Sequence, residues 1–239
     1  MTANGGTGRG AGDGPLAVIF DLDGVLIDSE QVWDEIRRDL VVERGGTWRP
    51  ESTRMMMGMS TPEWADYLVS LGIGMTADEA VAEVLRRLGQ RYGDAPPVIE
   101  GAVGAVRALS ALLPLAVASS SPHAIIDLVL RAAGLGADFQ AFVSSEEVGR
   151  GKPSPDVYLE AASRLGVPAG RCVAVEDSTN GVRAAAAAGM AVIVVPNPHF
   201  PPDPEAVALA GARIEDIGAL TPGTVQDAYG AARAGGARA

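Results

Sequence analysis

What most constrains this chain is a rhythm of short, unbroken apolar runs separated by longer stretches with helical spacing. From residue 98 onward, a helical segment at 102–113 leads to an apolar run at 115–118. The segment 122–133 leads to "AFVSS" at 141–145, 155–165 leads to "CVAVED" at 172–177, and 179–188 leads to "AVIVV" at 191–195. Another run, residues 16–20, precedes them all. Continuous apolar runs without polar alternation suit strands buried on both faces. The helices between them supply the crossovers that parallel strands require. The expected architecture is α/β, a parallel sheet covered by helices on both sides.

One segment interrupts the alternation. Between residues 30 and 92 no strand candidate occurs, and the apolar residues fall at helical spacing: Val32, Trp33, Ile36 and Leu40, then Trp64, Tyr67, Leu68 and Leu71, then Ala80, Val81, Val84, Leu85 and Leu88. "TADE" at 76–79 has the pattern of a capping box, and "GDAPP" at 93–97 breaks the helix that follows it. The expected organisation is a discontinuous core, 15–29 and 98–221, with a helical insertion at 30–97. A Gly-rich segment at 1–14 and a Gly-, Ala- and Arg-rich segment at 222–239 read as a flexible and a weakly ordered tail.

Composition narrows the partners. A formal net charge of -11 with no long Lys/Arg run argues against a broad nucleic-acid surface and a polybasic membrane patch. It leaves room for a small anionic substrate, because a local cation overrides the global field. No signal-peptide h-region or bilayer-length apolar stretch is present, so a cytoplasmic protein is expected. A monomer or weak dimer is the expected state. The single cysteine, Cys172, cannot form an internal disulfide and reads as a core thiol.

Ligands of open parallel sheets bind beyond the carboxyl ends of the strands. Asp21 and Asp23 follow the first run there, and Ser119, Ser120 and Ser121 the second. A loop with Lys152 follows the third, and Glu176, Asp177 and Ser178 the fourth. Each has a bland alternative. Asp23-Gly24 makes a turn, and an EF-hand loop fails on spacing, since Leu26 and Val32 stand where Gly and Glu are needed. Ser121 before Pro122 reads as an N-cap, which leaves Ser119 to face a ligand; Ser154-Pro155 repeats the pattern, and Ser178 and Thr179 suit a cap at 179. Convergence of four carboxylates, hydroxyls and one Lys at one edge is the stronger reading. Clustered carboxylates call for a cation, and oxygen-only ligands select a hard one such as Mg²⁺. A carboxylate can attack phosphorus, while a second handles the proton.

"DLDGVLIDSE", "VASSS", "GKPSPDVY" and "VEDSTNGVRAAAAAGM" resemble, in order and spacing, the four motifs of the haloacid dehalogenase-like superfamily over residues 16 to about 220. The resemblance implies a Rossmann-like core with the first strand central and a helical cap inserted after it. It implies Asp21 as nucleophile and metal ligand, and Asp23 as general acid/base with its backbone carbonyl on the metal. Ser119, Ser120 and Lys152 would hold the phosphoryl group, and Glu176 and Asp177 would complete a Mg²⁺ site. The implied activity is hydrolysis of a small phosphate ester, a sugar or polyol phosphate. Dehalogenases of the superfamily do not keep an acid two residues after the nucleophile, so Asp23 favours phosphate chemistry.

A phosphomutase is the alternative. β-Phosphoglucomutases carry a cap His where this chain has Trp33, and a cap Arg where it has Thr61; Arg54 is out of register. A receiver-type signalling module would place its acceptor Asp after the third strand rather than the first. Two readings stay open for "RMMMGMSTPEW" at 54–64, adaptable core filling or a substrate-facing loop broken at Gly58. His123 reads as an exposed helix-start residue, and Ala184–Ala188 as a helix packed closely on the sheet and ended by Gly189. The Pro-rich loop 195–204 has no assigned role.

Overall fold

Each apolar run is a strand, and every strand pairing is parallel. The computed structural model describes residues 14–56, 59–198 and 200–236. The expected N-terminal tail lies outside the described residues up to residue 13, as do Met57 and Gly58 of the methionine run. The strands are β1 (Ala17–Phe20), β2 (Leu115–Ser119), β3 (Ala141–Ser144), β4 (Cys172–Glu176), β5 (Ala191–Val194) and β6 (Ala212–Arg213). They form one sheet in the order β3-β2-β1-β4-β5-β6, with β1 inside it between β2 and β4. β6 is an addition to the runs read from the sequence.

The helices follow in chain order: α1 (Glu30–Glu43), α2 (Ser52–Met56), α3 (Thr61–Ser70), α4 (Ala77–Asp94), α5 (Ala102–Ser110), α6 (His123–Ala132), α7 (Asp156–Leu165), α8 (Thr179–Ala187), α9 (Pro204–Val207) and α10 (Pro222–Gly236). Alternation along the strands divides them between two cores. Val18, Phe20, Val117, Val173, Val175 and Ile193 share a cluster with Val106, Leu109, Ile126, Val129 and Tyr229 of α5, α6 and α10. Ala17, Ile19, Ala116, Ala118, Ala174 and Val192 share the other with Ala161, Ala162, Ala184 and Ala185 of α7 and α8. That second face is built of alanines, so its helices can lie close on the sheet. Cys172 is buried in it, and burial pushes its thiol up to about 11.

Residues 222–236 do not form a weakly ordered tail. They are α10, which buries Val225, Ala228 and Tyr229 against the sheet. Their Gly and Ala content hides a helix stabilised by the few large side chains it docks rather than by periodicity.

The insertion holds α1 to α4. In α4, Ala80, Val84, Leu88 and Tyr92 are buried, and Arg87 joins Glu83 of its own helix to Glu43 of α1 at 2.8 and 2.6 Å. Thr76 caps α4 as the sequence suggests: its hydroxyl accepts from Glu79 N–H at 3.3 Å, and Glu79 accepts from Thr76 N–H at 2.8 Å. The two chain segments joining insertion and sheet pair with each other. Ile27 and Val98 form an antiparallel bridge, Asp28 N–H donates to Pro97 at 2.8 Å, and Ile99 N–H to Leu26 at 3.0 Å.

Candidate active site

The strand order brings the carboxyl ends of β1, β2 and β4 side by side. Asp21 follows β1 directly, its N–H still in the ladder to Val175 at 2.9 Å. Glu176 ends β4 and Asp177 follows it. Carboxylate oxygens of Asp21, Glu176 and Asp177 lie within 4.8 Å of one another, and all three residues are buried.

Glycine makes this crowding possible at two positions. A Cβ on Gly24, which has φ +79°, would lie 1.8 Å from Asp177 Oδ2, and one on Gly181 would lie 1.6 Å from Glu176 Oε1. The turn after β1 and the first turn of α8 therefore leave room for Asp177 and Glu176, the two acids at the carboxyl end of β4.

Lys152 supplies the counter-charge. Its buried Nζ donates to Asp21 Oδ1 at 2.9 Å and to Glu176 Oε1 at 2.6 Å. Tyr158 OH also donates to Glu176 Oε1, at 2.9 Å. The other oxygen, Oε2, accepts from the N–H groups of Asp177 and Ser178 at 2.9 and 3.0 Å and from Ser178 Oγ at 3.0 Å. Glu176 thus receives five donors. Ser178 also accepts from Gly181 N–H at 3.1 Å, capping α8.

The charge states follow from this geometry. Burial pushes Asp21 up to about 7 although Lys152 opposes it, and Glu176 and Asp23 add to the rise. Burial, with the charges of Glu176 and Asp21, drives Asp177 well above the usual carboxylate range. Burial works against ionised Glu176 too, but the charge and hydrogen bond of Lys152 hold it below the ordinary glutamate value. Burial likewise disfavours the Lys152 ammonium, and the charges of Asp21 and Glu176 carry it above the ordinary lysine value. One ammonium faces more than one buried carboxylate, so the site has unbalanced negative charge. All-oxygen donors that repel one another in a buried cluster fit a hard divalent cation.

Asp23 accepts three hydroxyls: Ser29 Oγ at 2.5 Å, Ser121 Oγ at 2.7 Å and Ser119 Oγ at 3.3 Å. Here the structure corrects two capping expectations. Ser121 does not cap α6 with its side chain; Pro122 holds the N-cap position, and the Ser121 hydroxyl faces Asp23. Ser119 is fully buried behind it and accepts from Ser121 N–H at 2.9 Å. Ser154 donates to the Asp156 carboxylate at 2.6 Å instead of capping α7.

A cavity of about 200 Å³ opens over these acids. Its floor includes Asp21, Asp23, Ser120, Ser121 and Asp177, and its roof comes from the insertion, including Trp33, Arg37, Met56, Met59, Thr61 and Trp64. The methionine run divides accordingly: Met56 is buried and reaches the cavity with Met59, while Met55 is half exposed. The Pro-rich loop also reaches the site, through Phe200 on the cavity wall and through Asn197 Nδ2, which donates to Asp177 Oδ2 at 3.2 Å. His123 stands at the surface with Nδ1 2.8 Å from Glu147, away from the cavity wall. Tyr158, Ser29, Arg37, Trp64 and Asn197 are site residues that the motifs alone did not single out. Ser29 and Tyr158 lay inside recognised motifs.

Residues 15–189 match the family model of haloacid dehalogenase-like hydrolases. The chain belongs to this family. As a haloacid dehalogenase-like hydrolase it is an enzyme, and the receiver-type alternative falls away. It is 35% identical over 212 residues to hexitol phosphatase B of Escherichia coli O157:H7, covering 86% of this chain and 94% of that protein. Among solved structures it is similar to CbbY from Rhodobacter sphaeroides in complex with phosphate, with 27% identity and a TM-score of 0.72 over 86% of this chain and 96% of that one. A putative β-phosphoglucomutase from Thermotoga maritima gives 30% identity and a TM-score of 0.69, with the same coverage of both chains. Among the described residues of this hydrolase, no helix is long and apolar enough to cross a membrane.

Proposed function

We propose that this chain is a Mg²⁺-dependent phosphatase that hydrolyses a small phosphorylated metabolite, a sugar or polyol phosphate, through an aspartyl-phosphate intermediate. In this reading 30–97 is a cap over a core of 15–29 and 98–221, and the enzyme works in the cytoplasm as a monomer or weak dimer. The observation that carries the chemistry is Lys152 Nζ held between Asp21 and Glu176, which fixes the Asp21 carboxylate at the cavity floor. The relatives support the reaction class: one named hexitol phosphatase B, and one solved with phosphate.

Asp21 is the nucleophile. One of its oxygens bonds to phosphorus as the bond from phosphorus to the leaving oxygen breaks, and Asp23 gives that oxygen a proton. Asp23 then takes a proton from water, whose oxygen attacks phosphorus; inorganic phosphate leaves and Asp21 is restored. The hydroxyls of Ser29, Ser119 and Ser121 orient Asp23 for both transfers. Lys152 and Ser120, the latter on the cavity floor after β2, hold phosphoryl oxygens, while Ser119, buried behind Ser121, acts through Asp23.

Asp21 and Asp177, with the Asp23 backbone carbonyl, would hold Mg²⁺. Glu176 borders that cluster, and its five donors make it the anchor of Lys152. When bound, the cation supplies Lewis-acid stabilisation of phosphate charge.

Phosphate release measured over a panel of phosphorylated metabolites, with and without Mg²⁺, tests this reading. Release from a sugar or polyol phosphate that stops with chelator is the expected result. Absence of turnover across the panel overturns it. Likeness to the putative β-phosphoglucomutase favours a mutase as second reading. Trp33 on the cavity wall speaks against it, because an indole cannot relay a proton as imidazole does. Conversion of β-glucose 1-phosphate to the 6-phosphate faster than phosphate release, followed by NMR, would decide for the mutase.

A further inference from the structure

The Pro-rich loop that follows β5 is fastened around one acid of the site. At its start, Val195 N–H donates to the backbone oxygen of Glu176 at 2.8 Å. Near its end, Asp203 N–H donates to Thr179 Oγ1 at 2.8 Å. The two anchor points, Glu176 and Thr179, stand on either side of Asp177 in the chain. Between them the loop sends one polar side chain inward. Asn197 is only 5% exposed, and an amide so buried is costly unless its groups are paired.

Both ends of that amide are used. Nδ2 donates to Asp177 Oδ2 at 3.2 Å, and Oδ1 accepts from Phe200 N–H at 3.2 Å. A backbone N–H can only donate, so Phe200 fixes which way the amide points, Oδ1 to the loop and Nδ2 to Asp177. The same bond holds Phe200 on the cavity wall. Asp177 depends on this contact more than its neighbour does. Glu176 has five donors, whereas among the described residues the Asp177 carboxylate has the Asn197 amide alone. Burial and the charges of Glu176, Asp21 and Glu30 disfavour its ionised form, and the Asn197 amide opposes them.

We propose that Asn197 is a positioning residue for the cation: its amide holds the Asp177 carboxylate in place within the acid cluster and joins that orientation to the cavity wall at Phe200. Groups that stand behind a metal ligand set its orientation and are worth about 10–100-fold in metal affinity. The inference deepens the reading of Asp21, Asp177 and the Asp23 carbonyl as a Mg²⁺ site, and rests on it.

Calorimetry of Mg²⁺ binding to the substrate-free protein tests it. Asn197→Ala is expected to weaken Mg²⁺ binding about 10–100-fold. Phosphate release by that variant falls at limiting Mg²⁺ and recovers most of its kcat at saturating Mg²⁺. Asn197→Gln, which keeps an amide on a longer arm, is expected to keep part of the affinity. Phe200→Ala, which removes the wall but keeps the backbone N–H, is expected to raise KM and leave Mg²⁺ affinity unchanged. Wild-type Mg²⁺ affinity in folded Asn197→Ala overturns the inference, and so does an equal loss of affinity in Phe200→Ala.

A measurement on the wild type needs no variant that folds. By NMR, the side-chain amide protons of Asn197 are expected to exchange slowly with solvent and to shift when Mg²⁺ is added. An amide that exchanges freely, or that does not respond to Mg²⁺, overturns the inference. Neither binding readout requires turnover. If Mg²⁺ binds in an Asn197-dependent way while no phosphate ester is hydrolysed, the phosphatase reading alone fails; if the wild type binds no Mg²⁺, both fail.

Discussion

Gly181 and Glu176 compete for one volume: a Cβ on Gly181 would sit 1.6 Å from Glu176 Oε1. Gly-to-Ala in a helix ordinarily stabilises by about 1 kcal/mol. Here the sign reverses, because a displaced Glu176 takes from Lys152 one of its two carboxylates and leaves two backbone N–H groups without their acceptor. Gly181→Ala is expected to lower stability by roughly 1–3 kcal/mol in urea unfolding and to reduce phosphate release. A stabilised, fully active variant would contradict the packing described for α8.

Tyr158→Phe isolates one of the five donors to Glu176. The hydroxyl is buried and, among the described residues, donates to Glu176 Oε1. Loss of a hydrogen bond to a charged group is expected to cost about 1.5–3 kcal/mol, with a smaller effect on turnover than removal of Lys152. Equilibrium unfolding and steady-state kinetics on the same preparation separate the two effects.

The two acids after β1 are expected to part under substitution. Asp21→Asn abolishes phosphate release. Asp23→Asn slows it by about 10²–10⁴, the usual size of a general acid/base contribution, while leaving Mg²⁺ binding largely intact by calorimetry. If Asp23→Asn loses the metal, its role is structural.

Proton and metal compete at Asp21. Its value, raised to about 7 from an ordinary 3.8, means that the metal-free folded state keeps a proton which the unfolded chain releases near pH 4. This group's contribution therefore favours folding at low pH and is lost as pH rises from about 4 to about 7. Mg²⁺ must displace that proton, so the rise in Tm caused by Mg²⁺ is expected to grow between about pH 6 and about pH 8. A Mg²⁺ effect that shrinks over that interval would rule out Asp21 as a ligand.

α10 supplies a test of the C-terminal helix. Tyr229 is 2% exposed within the main core. Tyr229→Ala is expected to cost about 3–5 kcal/mol, as for other large aromatics cut to alanine. A silent substitution would restore the tail reading.

The sheet was legible because its main strands are buried on both faces, which writes them as continuous apolar runs. β6 escaped because it has two residues, Ala212 and Arg213, neither buried. The acids and Lys152 were legible for a topological reason, since every strand end of a parallel sheet opens on the same edge. Trp33 and Arg37 are an i,i+4 pair on α1, but Trp64 joins them only where α3 meets α1, and no local pattern encodes that contact. The serines show the limit most clearly. Which of Ser119 and Ser121 lines the cavity depends on the turn before α6, and a capping rule chose the wrong one.

Pairing between the chain segments on either side of the insertion has a consequence for chain entropy. Ile27 bridges Val98, and Leu26 and Asp28 hydrogen-bond to Ile99 and Pro97, so the helices from α1 to α4 begin and end at neighbouring points. Closing a loop costs only about (3/2)RT ln n in its length, and here the ends are fastened by backbone bonds of their own. Seen from β1 and the helix before β2, the whole insertion amounts to a hairpin. Its roof residues can be exchanged, lengthened or replaced with little change in what the sheet must do to fold, which separates evolution of the cavity roof from evolution of its floor.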